Sequence, residues 1–581
     1  MPNMKRVIQI VFKVLASVVA VVLLFLVGVY SVGAFNRLRF AERTQDRRGS
    51  RPPNQFYVRP SGSDTNPGTS LDRAWKTIGK VNRESFVPGD SILFEGRQQF
   101  PGNLVFGSDD LGTPAKPIHV GSFGLGRATI LAESGNAILI HNAGGFEIES
   151  LTVAGSKQAE NGIILYNDLL GGVKFPYVRI DSVEASGFRK FGICVAGNFW
   201  KSGFRDVRIT RVSAHDNASA GIYVYGGYLP IRSDHAHRDI YVGDSTAYNN
   251  SGLAGRKKEN SGSGIVFSDV DYGTIERSTA FHNGYLSNSR IGGPVGIWAW
   301  DSDSITIQFN RSYDNRSSGA KDGGGFDLDG AVTNSVLQYN YSSGNDGAGY
   351  LICKFRYGRL TVRNIVRYNV SRNDGRKNSY GAVHLFGDVE ELEVYNNTLI
   401  VDPTGAGNPA PVRIEGGSKD VHFRNNVFYA GKGLSILRID PIQERLMFQG
   451  NAYISADRAL KLEWQDAKFK TLSEWRALTG EEMLASRKLG VEALALSDNS
   501  VSTEDFDGVI TQFRPFLMDA GLDLRALFGL NPGGRDYNGT SVPFGSAFDI
   551  GAQEWVTAPS PHKVLLNSQP NPVTASRPVT P

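Results

Sequence analysis

The middle of the chain repeats itself. Segments opening on glycine or another small residue return at a steady interval: GIILYN from 162, GICVAG from 192, GIYVYG from 221, GIVFSD from 264, GIWAWD from 296, GFDLDG from 325, GYLICK from 349, GAVHLF from 381 and PVRIEG from 411. Eight steps cover 249 residues, about 31 per step. In each segment the second and fourth residues are mostly apolar while the third and fifth vary. That period of two marks a strand with one buried face. Further alternating runs, such as SITIQFN from 304 and SVLQYN from 335, give each repeat more than one strand, with no helical pattern between them. An α-solenoid and a βαβ array are thereby excluded, and a propeller blade needs about 40–45 residues with hairpin turns. A parallel β-helix meets the constraint, because each coil buries its inward residues against the next. The 67 glycines among 581 residues suit the many tight turns this requires.

Asparagines keep the same phase: Asn217, Asn250, Asn283, Asn315, Asn345, Asn373, Asn397, Asn426 and Asn451. Asparagine tolerates turn conformations and bonds local backbone, so one per repeat predicts a stacked ladder. Both ends of the body add weight. YVRPSGSDTNPGTSLDRAWKTIGKV at 57–81 and VPGDSILFEG at 87–96 resemble the opening of secreted right-handed parallel β-helix proteins of the pectate-lyase type. TLSEWRALTGEEM at 471–483 and RDYNGTSVPFGSAFDIGAQEW at 535–555 resemble their C-terminal end. The resemblance spans residues 55–556 and implies an all-β, single-stranded right-handed parallel β-helix solenoid. Such proteins include polysaccharide lyases, glycoside hydrolases, epimerases and tailspikes, and fold alone does not choose among them.

The expected organisation is a cytoplasmic N-terminal tail at 1–13, a transmembrane helix or signal anchor at 14–35 and a linker at 36–54. The β-helix follows at 55–460, then a C-terminal capping region at 461–556 and a disordered, proline-rich tail at 557–581. Residues 14–35 are 22 uncharged positions preceded by Lys5, Arg6 and Lys13, long enough to cross a bilayer core needing ~20 apolar residues. A cleaved signal peptide, with Val32-Gly33-Ala34 as its cleavage site, is the rival reading. Six arginines between 37 and 51 follow the span. The positive-inside rule would hold that side in the cytoplasm, although long domains translocate regardless of flanking charge. The body is expected to be extracytoplasmic, either periplasmic or on the cell surface, and monomeric. A formal charge of +4, from 62 basic and 58 acidic residues, is too balanced for a nucleic-acid partner, and no nucleic-acid signature is present.

Equivalent outward positions stack at ~4.8 Å per coil. In order they read Ile164/Tyr166, Cys194/Ala196, Tyr223/Tyr225, Val266/Ser268, Trp298/Trp300, Asp327/Asp329, Leu351/Cys353, Val383/Leu385 and Arg413/Glu415. Aromatic residues and carboxylates on one face suit the binding and cleavage of a polysaccharide, expected to be acidic: sugar C–H faces stack on rings while charged groups take hydroxyls and uronates. Tyr223, Tyr225, Trp298, Trp300, Arg356 and Arg413 are the expected substrate-binding residues. The alternative is that the inserts at 228–239 and 253–262 cover this face. Asp327 and Asp329 should hold their Cα atoms ~6.5–7 Å apart at about 3.3 Å per residue, a spacing that permits a glycosidase acid/base pair. A lyase would instead use a cation and a base. Asp301, Asp327 and Asp329 could supply oxygens to Ca²⁺, with Lys354 as base. The three candidate catalytic residues are therefore Asp327, Asp329 and Lys354. A non-catalytic glycan-binding or assembly protein is the other class. His235 and His237 read as a solvated pair, His384 as an inward core residue, and GRKKEN at 255–260 as a basic loop overhanging the aromatic half. Cys194 and Cys353, five coils or roughly 24 Å apart by that spacing, cannot form a disulfide.

Overall fold

The computed structural model describes residues 17–21, 28, 31–36, 52–156, 158–198, 201–228, 234–319, 321–355, 358–403, 405–441, 443–494 and 511–555. The chain winds as a parallel β-helix in which successive coils add one strand to each of three sheets. Sheet I runs from Gln55–Val58 to Gln443–Gln449 and has 15 strands. Sheet II runs from Gln99–Pro101 to Val491–Leu494 and sheet III from Leu104–Phe106 to Ala467–Phe469, each with 14 strands.

The alternation that defined the repeat is the wall of the core. On sheet III the inward column is Ile163, Ile193, Ile222, Ile265, Ile297, Phe326, Tyr350, Val383 and Val412, in direct register. All are fully buried in one core cluster. The recurrent glycine has a steric cause. A Cβ on Gly296 would lie 1.9 Å from Ser312 Oγ, and one on Gly325 would lie 2.2 Å from Ser342 Oγ. At these coils the turn from sheet II into sheet III is too narrow for a side chain.

The asparagines form two ladders rather than one. Asn217, Asn250, Asn283, Asn315 and Asn345 donate Nδ2 to the next Oδ1 over 2.8–3.2 Å and end on Asp374, not Asn373. Asn310, Asn340, Asn369, Asn397, Asn426 and Asn451 make a second ladder that ends on Glu482. The second amide proton goes to a backbone carbonyl, as from Asn340 to Ile307 at 2.8 Å. Each buried amide is thus satisfied, which removes the cost of burying it.

The expected register fails at one step. Leu351 pairs with His384, not Val383, so Val383 and Leu385 face the core while His384 and Phe386 join the outward columns. In GAVHLF two apolar residues precede the histidine, and the larger one fills the core. A one-residue slip exchanges the faces of a strand.

The capping region also divides. The helix Leu472–Thr479 closes the coil end, with Trp475 fully buried against Phe448, Tyr453 and Trp464. Residues 511–555 instead run back along the side. Asn425 exchanges hydrogen bonds with the Leu522 backbone, and Tyr339 and Tyr395 donate to the carbonyls of Arg535 and Asn531. Of the expected membrane segment 14–35, residues 17–21, 28 and 31–35 are described, all helical. Among the described residues no helix is long and apolar enough to cross a membrane. The rest of that segment and the tail 557–581 lie outside the described residues.

Candidate functional site

The outward face of sheet III gathers most of the residues singled out above. Its main column reads Tyr223, Val266, Trp298, Asp327, Leu351, His384, Arg413 and Arg438. Two regions stand out along it, one aromatic and one acidic.

The aromatic region is a cavity of about 600 Å³. Tyr223, Tyr225 and Trp300 line it, with Phe191 stacked on Tyr223 at 4.7 Å and 15°. The 253–262 insert supplies a wall through Leu253, Arg256 and Asn260, so the basic loop does overhang the aromatic half. The cations at the rim carry partners: Arg189 and Lys190 share Glu160, and Arg256 pairs with Glu259. Trp298 is not part of this cavity. It is 3% exposed, packs on Val266 and Val295, and donates Nε1 to Ser263 Oγ at 3.2 Å. The two tryptophans of one strand therefore serve different ends.

The acidic region has three carboxyls, not two. Asp327 and Asp329 project from the strand Gly324–Leu328 and its end, and Asp322 reaches them from the turn before it. Asp322 accepts from Tyr380 O–H at 2.9 Å and from Gly293 N–H at 2.5 Å. Asp327 is 3% exposed, and its Oδ1 has no hydrogen-bond partner. Burial, followed by the nearby charges of Asp329 and Asp322, pushes its pKa well above the usual carboxylate range. Asp329 is half-buried and is pushed up to about 6 by burial, opposed by the Gly330 N–H at 2.8 Å and the Cys353 thiol. Burial raises Asp322 as well, against its tyrosine and backbone donors. Burial and like charge thus favour the protonated form of Asp327, and Asp329 exchanges its proton near pH 6. Carboxyls whose environments separate their roles are what acid/base chemistry requires.

Other candidates are placed elsewhere. Lys354 turns round the corner to Glu390 of sheet I, Nζ to Oε1 3.5 Å. Asp301 is buried and ion-paired with Arg359, with His235 Nε2 at 3.8 Å. His235 itself is 4% exposed and bonds Asp271 at 2.5 Å, so it is not a solvated loop residue. Among the described residues no three His, Cys, Asp or Glu side chains gather as a metal site would need. Calcium takes about six to eight oxygens, and with Asp301 committed to Arg359 the donor set does not fit it. Arg413 contacts Glu415 on its own strand. Arg356 lies outside the described residues. Cys194 and Cys353 are both buried free thiols.

Sequence reasoning left Asp322, Tyr380 and Phe386 out of the site. Asp322 and Tyr380 lie in turns, outside the strand alternation. Phe386 was hidden by the register slip. The one available signal was the DGGG run at 322–325, where glycines let the turn bring Asp322 back over its own strand.

No family model matches this chain. It is 24% identical, over 480 aligned residues covering 64% of this chain, to a lacto-N-biosidase of Bifidobacterium longum subsp. longum. The chain spans about 28% of that relative's length. Solved structures similar to it include a lacto-N-biosidase from Eubacterium ramulus, at 16% identity and a TM-score of 0.48, covering 71% of this chain and 69% of that one. A pectate lyase aligns at 16% identity and a TM-score of 0.41, covering 87% and 98%. A periplasmic alginate epimerase aligns at 13% identity and a TM-score of 0.40, covering 63% and 78%.

Proposed function

We propose that this chain is a glycan-cleaving parallel β-helix enzyme that hydrolyses a glycosidic bond at the Asp322–Asp327–Asp329 cluster. The observation that carries this reading is the cluster itself: three neighbouring carboxyls with raised pKa values beside an aromatic-lined cavity. The similarity to a lacto-N-biosidase supports a glycan substrate. In this reading Asp329, half-buried with a pKa near 6, protonates the departing glycosidic oxygen. Asp322, oriented by Tyr380 and Gly293, acts on the anomeric carbon directly or through water. Asp327 stays neutral between them and keeps a proton beneath the pair.

β-Elimination is the less favoured reaction, because Lys354 is held by Glu390 and the calcium donors are not assembled. A glycan-binding or assembly protein is the alternative outside catalysis. Incubation with a broad glycan panel, read by new reducing ends and by the ultraviolet absorbance of unsaturated uronates, separates the three. New reducing ends without that absorbance support hydrolysis, while absorbance means elimination. Binding with neither product would leave only the binder. The apolar segment 14–35 would tether the body on the extracytoplasmic side of a membrane. Carbonate-resistant sedimentation together with protease access from outside is the expected result.

A further inference from the structure

Beyond the acids, the same face changes character. Phe386 stands next to Cys353 in register and is 43% exposed, whereas Trp298 of the adjoining outward column is 3% exposed. The Lys321 ammonium lies 5.9 Å from the ring centroid and forms no ion pair among the described residues. His384, Arg413 and Arg438 follow one another along the main column. Arg413 contacts Glu415, and Arg438 Nε is 3.5 Å from Glu463. Asp440 also lies within electrostatic reach of Arg413, and Asp322 within reach of Lys321. The two arginines are thus matched, and Lys321 is the cation that forms no ion pair among the described residues.

His384 supplies a second sign. It is 2% exposed, and its Nδ1 accepts from Gly381 N–H at 3.3 Å, which puts the ring proton on Nε2. That Nε2 is buried without a partner. Burial, reinforced by Arg413, Arg438 and Lys321, lowers its pKa to about 3, so it stays a neutral donor. A buried donor left unpaired is costly and needs an explanation. An exposed ring beside an ammonium with no ion pair, on the strand that carries an orphaned donor, is a combination folding does not call for. The aromatic cavity on the other side of the acids differs, since each of its rim cations has a glutamate partner.

We propose that Phe386, flanked by Lys321, Arg413 and His384, forms a subsite for an anionic sugar, a pyranose bearing a carboxylate or a sulfate. The ring takes the C–H face of the sugar and Lys321 takes the anion. The scissile bond then lies between sugars in the charge-balanced aromatic cavity and an acidic sugar at Phe386. This deepens the hydrolase reading and rests on it.

The test is binding by the full chain carrying Asp329→Asn, to suppress turnover. Calorimetry would compare oligosaccharides identical except at one C6: hydroxymethyl, carboxylate or sulfate ester. The expected result is at least tenfold tighter binding of an anionic member than of the neutral one, with a ratio that falls as salt is raised. Which anion wins separates uronate from sulfate recognition. Lys321→Gln and Phe386→Ala, both at exposed side chains, should each cut the ratio at least threefold, and Lys321→Arg should keep it. Equal affinity for all three, or a ratio indifferent to Lys321→Gln, overturns the subsite. If the wild-type chain cleaves glycans without preferring anionic ones, the subsite falls and the hydrolase stands. If no glycan is bound or cleaved, both fall.

Discussion

The outward faces of sheets II and III each carry aromatic rings, and the two columns come to different ends. On sheet II, His215, Tyr248, Phe281 and Tyr313 hold the same position on successive coils. Their centroids are 4.7, 5.0 and 5.1 Å apart, with interplanar angles of 13°, 3° and 4°. The spacing of coils, ~4.8 Å, is itself a stacking distance. A ring on every coil therefore spends its faces on its neighbours. On sheet III, Val266 separates Tyr223 from Trp298, and Ser268 adjoins Trp300. Interrupted rings do not stack in one line, and Tyr223, Tyr225 and Trp300 instead line the cavity beside the acids. The unbroken column is a strut, and the broken one leaves room for a ligand.

The largest expected effect lies at the acids, where the broken column ends. Asp322→Asn and Asp329→Asn should each lower kcat/KM at least a thousandfold, about 4 kcal/mol of barrier. Asp327→Asn should lower it by no more than about tenfold, because an amide copies the shape of a neutral carboxyl. Equal damage from all three would make Asp327 a proton-transferring group in its own right.

Next comes the gap itself. Ser268→Phe would place a ring between Tyr225 and Trp300 and turn the broken column into a strut. Glycan affinity should drop about a hundredfold, about 2.7 kcal/mol, while Ser268→Ala, which keeps the space, should retain it. A Ser268→Phe chain that still binds normally would remove the cavity from the site.

A crossed pair sharpens the contrast. Trp300→Ala should weaken glycan binding by ten- to hundredfold and shift the denaturant midpoint little. Phe281→Ala should leave affinity alone and lose about 2 kcal/mol of stability, from two stacked neighbours and lost burial. Opposite results would reverse the assignment of strut and site.

The smallest effects follow pH. Cleavage that needs protonated Asp329 should decline as pH rises through about 6. The folded-state pKa of Asp327 lies above its ordinary 3.8. Its contribution to stability is therefore complete below that value and is lost progressively as pH rises toward the folded value. At neutral pH Asp327→Asn should be more stable than wild type by about 1 kcal/mol or more in urea unfolding, and the advantage should vanish near pH 4.

The coil architecture was legible because it depends on local periodicity. Glycine, apolar and asparagine positions recur in the sequence at the pitch at which they stack in space. The aromatic cavity was legible in outline: Tyr223, Tyr225 and Trp300 meet there, and the 253–262 insert forms a wall. What was left out of the candidate site came from turns and register. Asp322 and Tyr380 belong to connections with no period, so no alignment of repeats could bring them together. Val383 and His384 exchanged faces because volume, not position in the motif, chose which residue enters the core. Lys354 and Asp301 were assigned by residue type at the ends of neighbouring coils, and each found an opposite charge round the corner of a coil.

By itself the sequence determined a parallel β-helix and the face on which its aromatic and acidic residues lie. Those follow from alternation within a strand and repetition between coils, which any aligned stack must obey. Tertiary structure decided which of those residues are free to act. It sealed Trp298 and opened Phe386, tied Lys354 to Glu390, and folded Asp322 onto Asp327 and Asp329. Burial and like charge then raised the carboxyl pKa values, because the cost of a buried charge depends on neighbours that only the folded coils assemble.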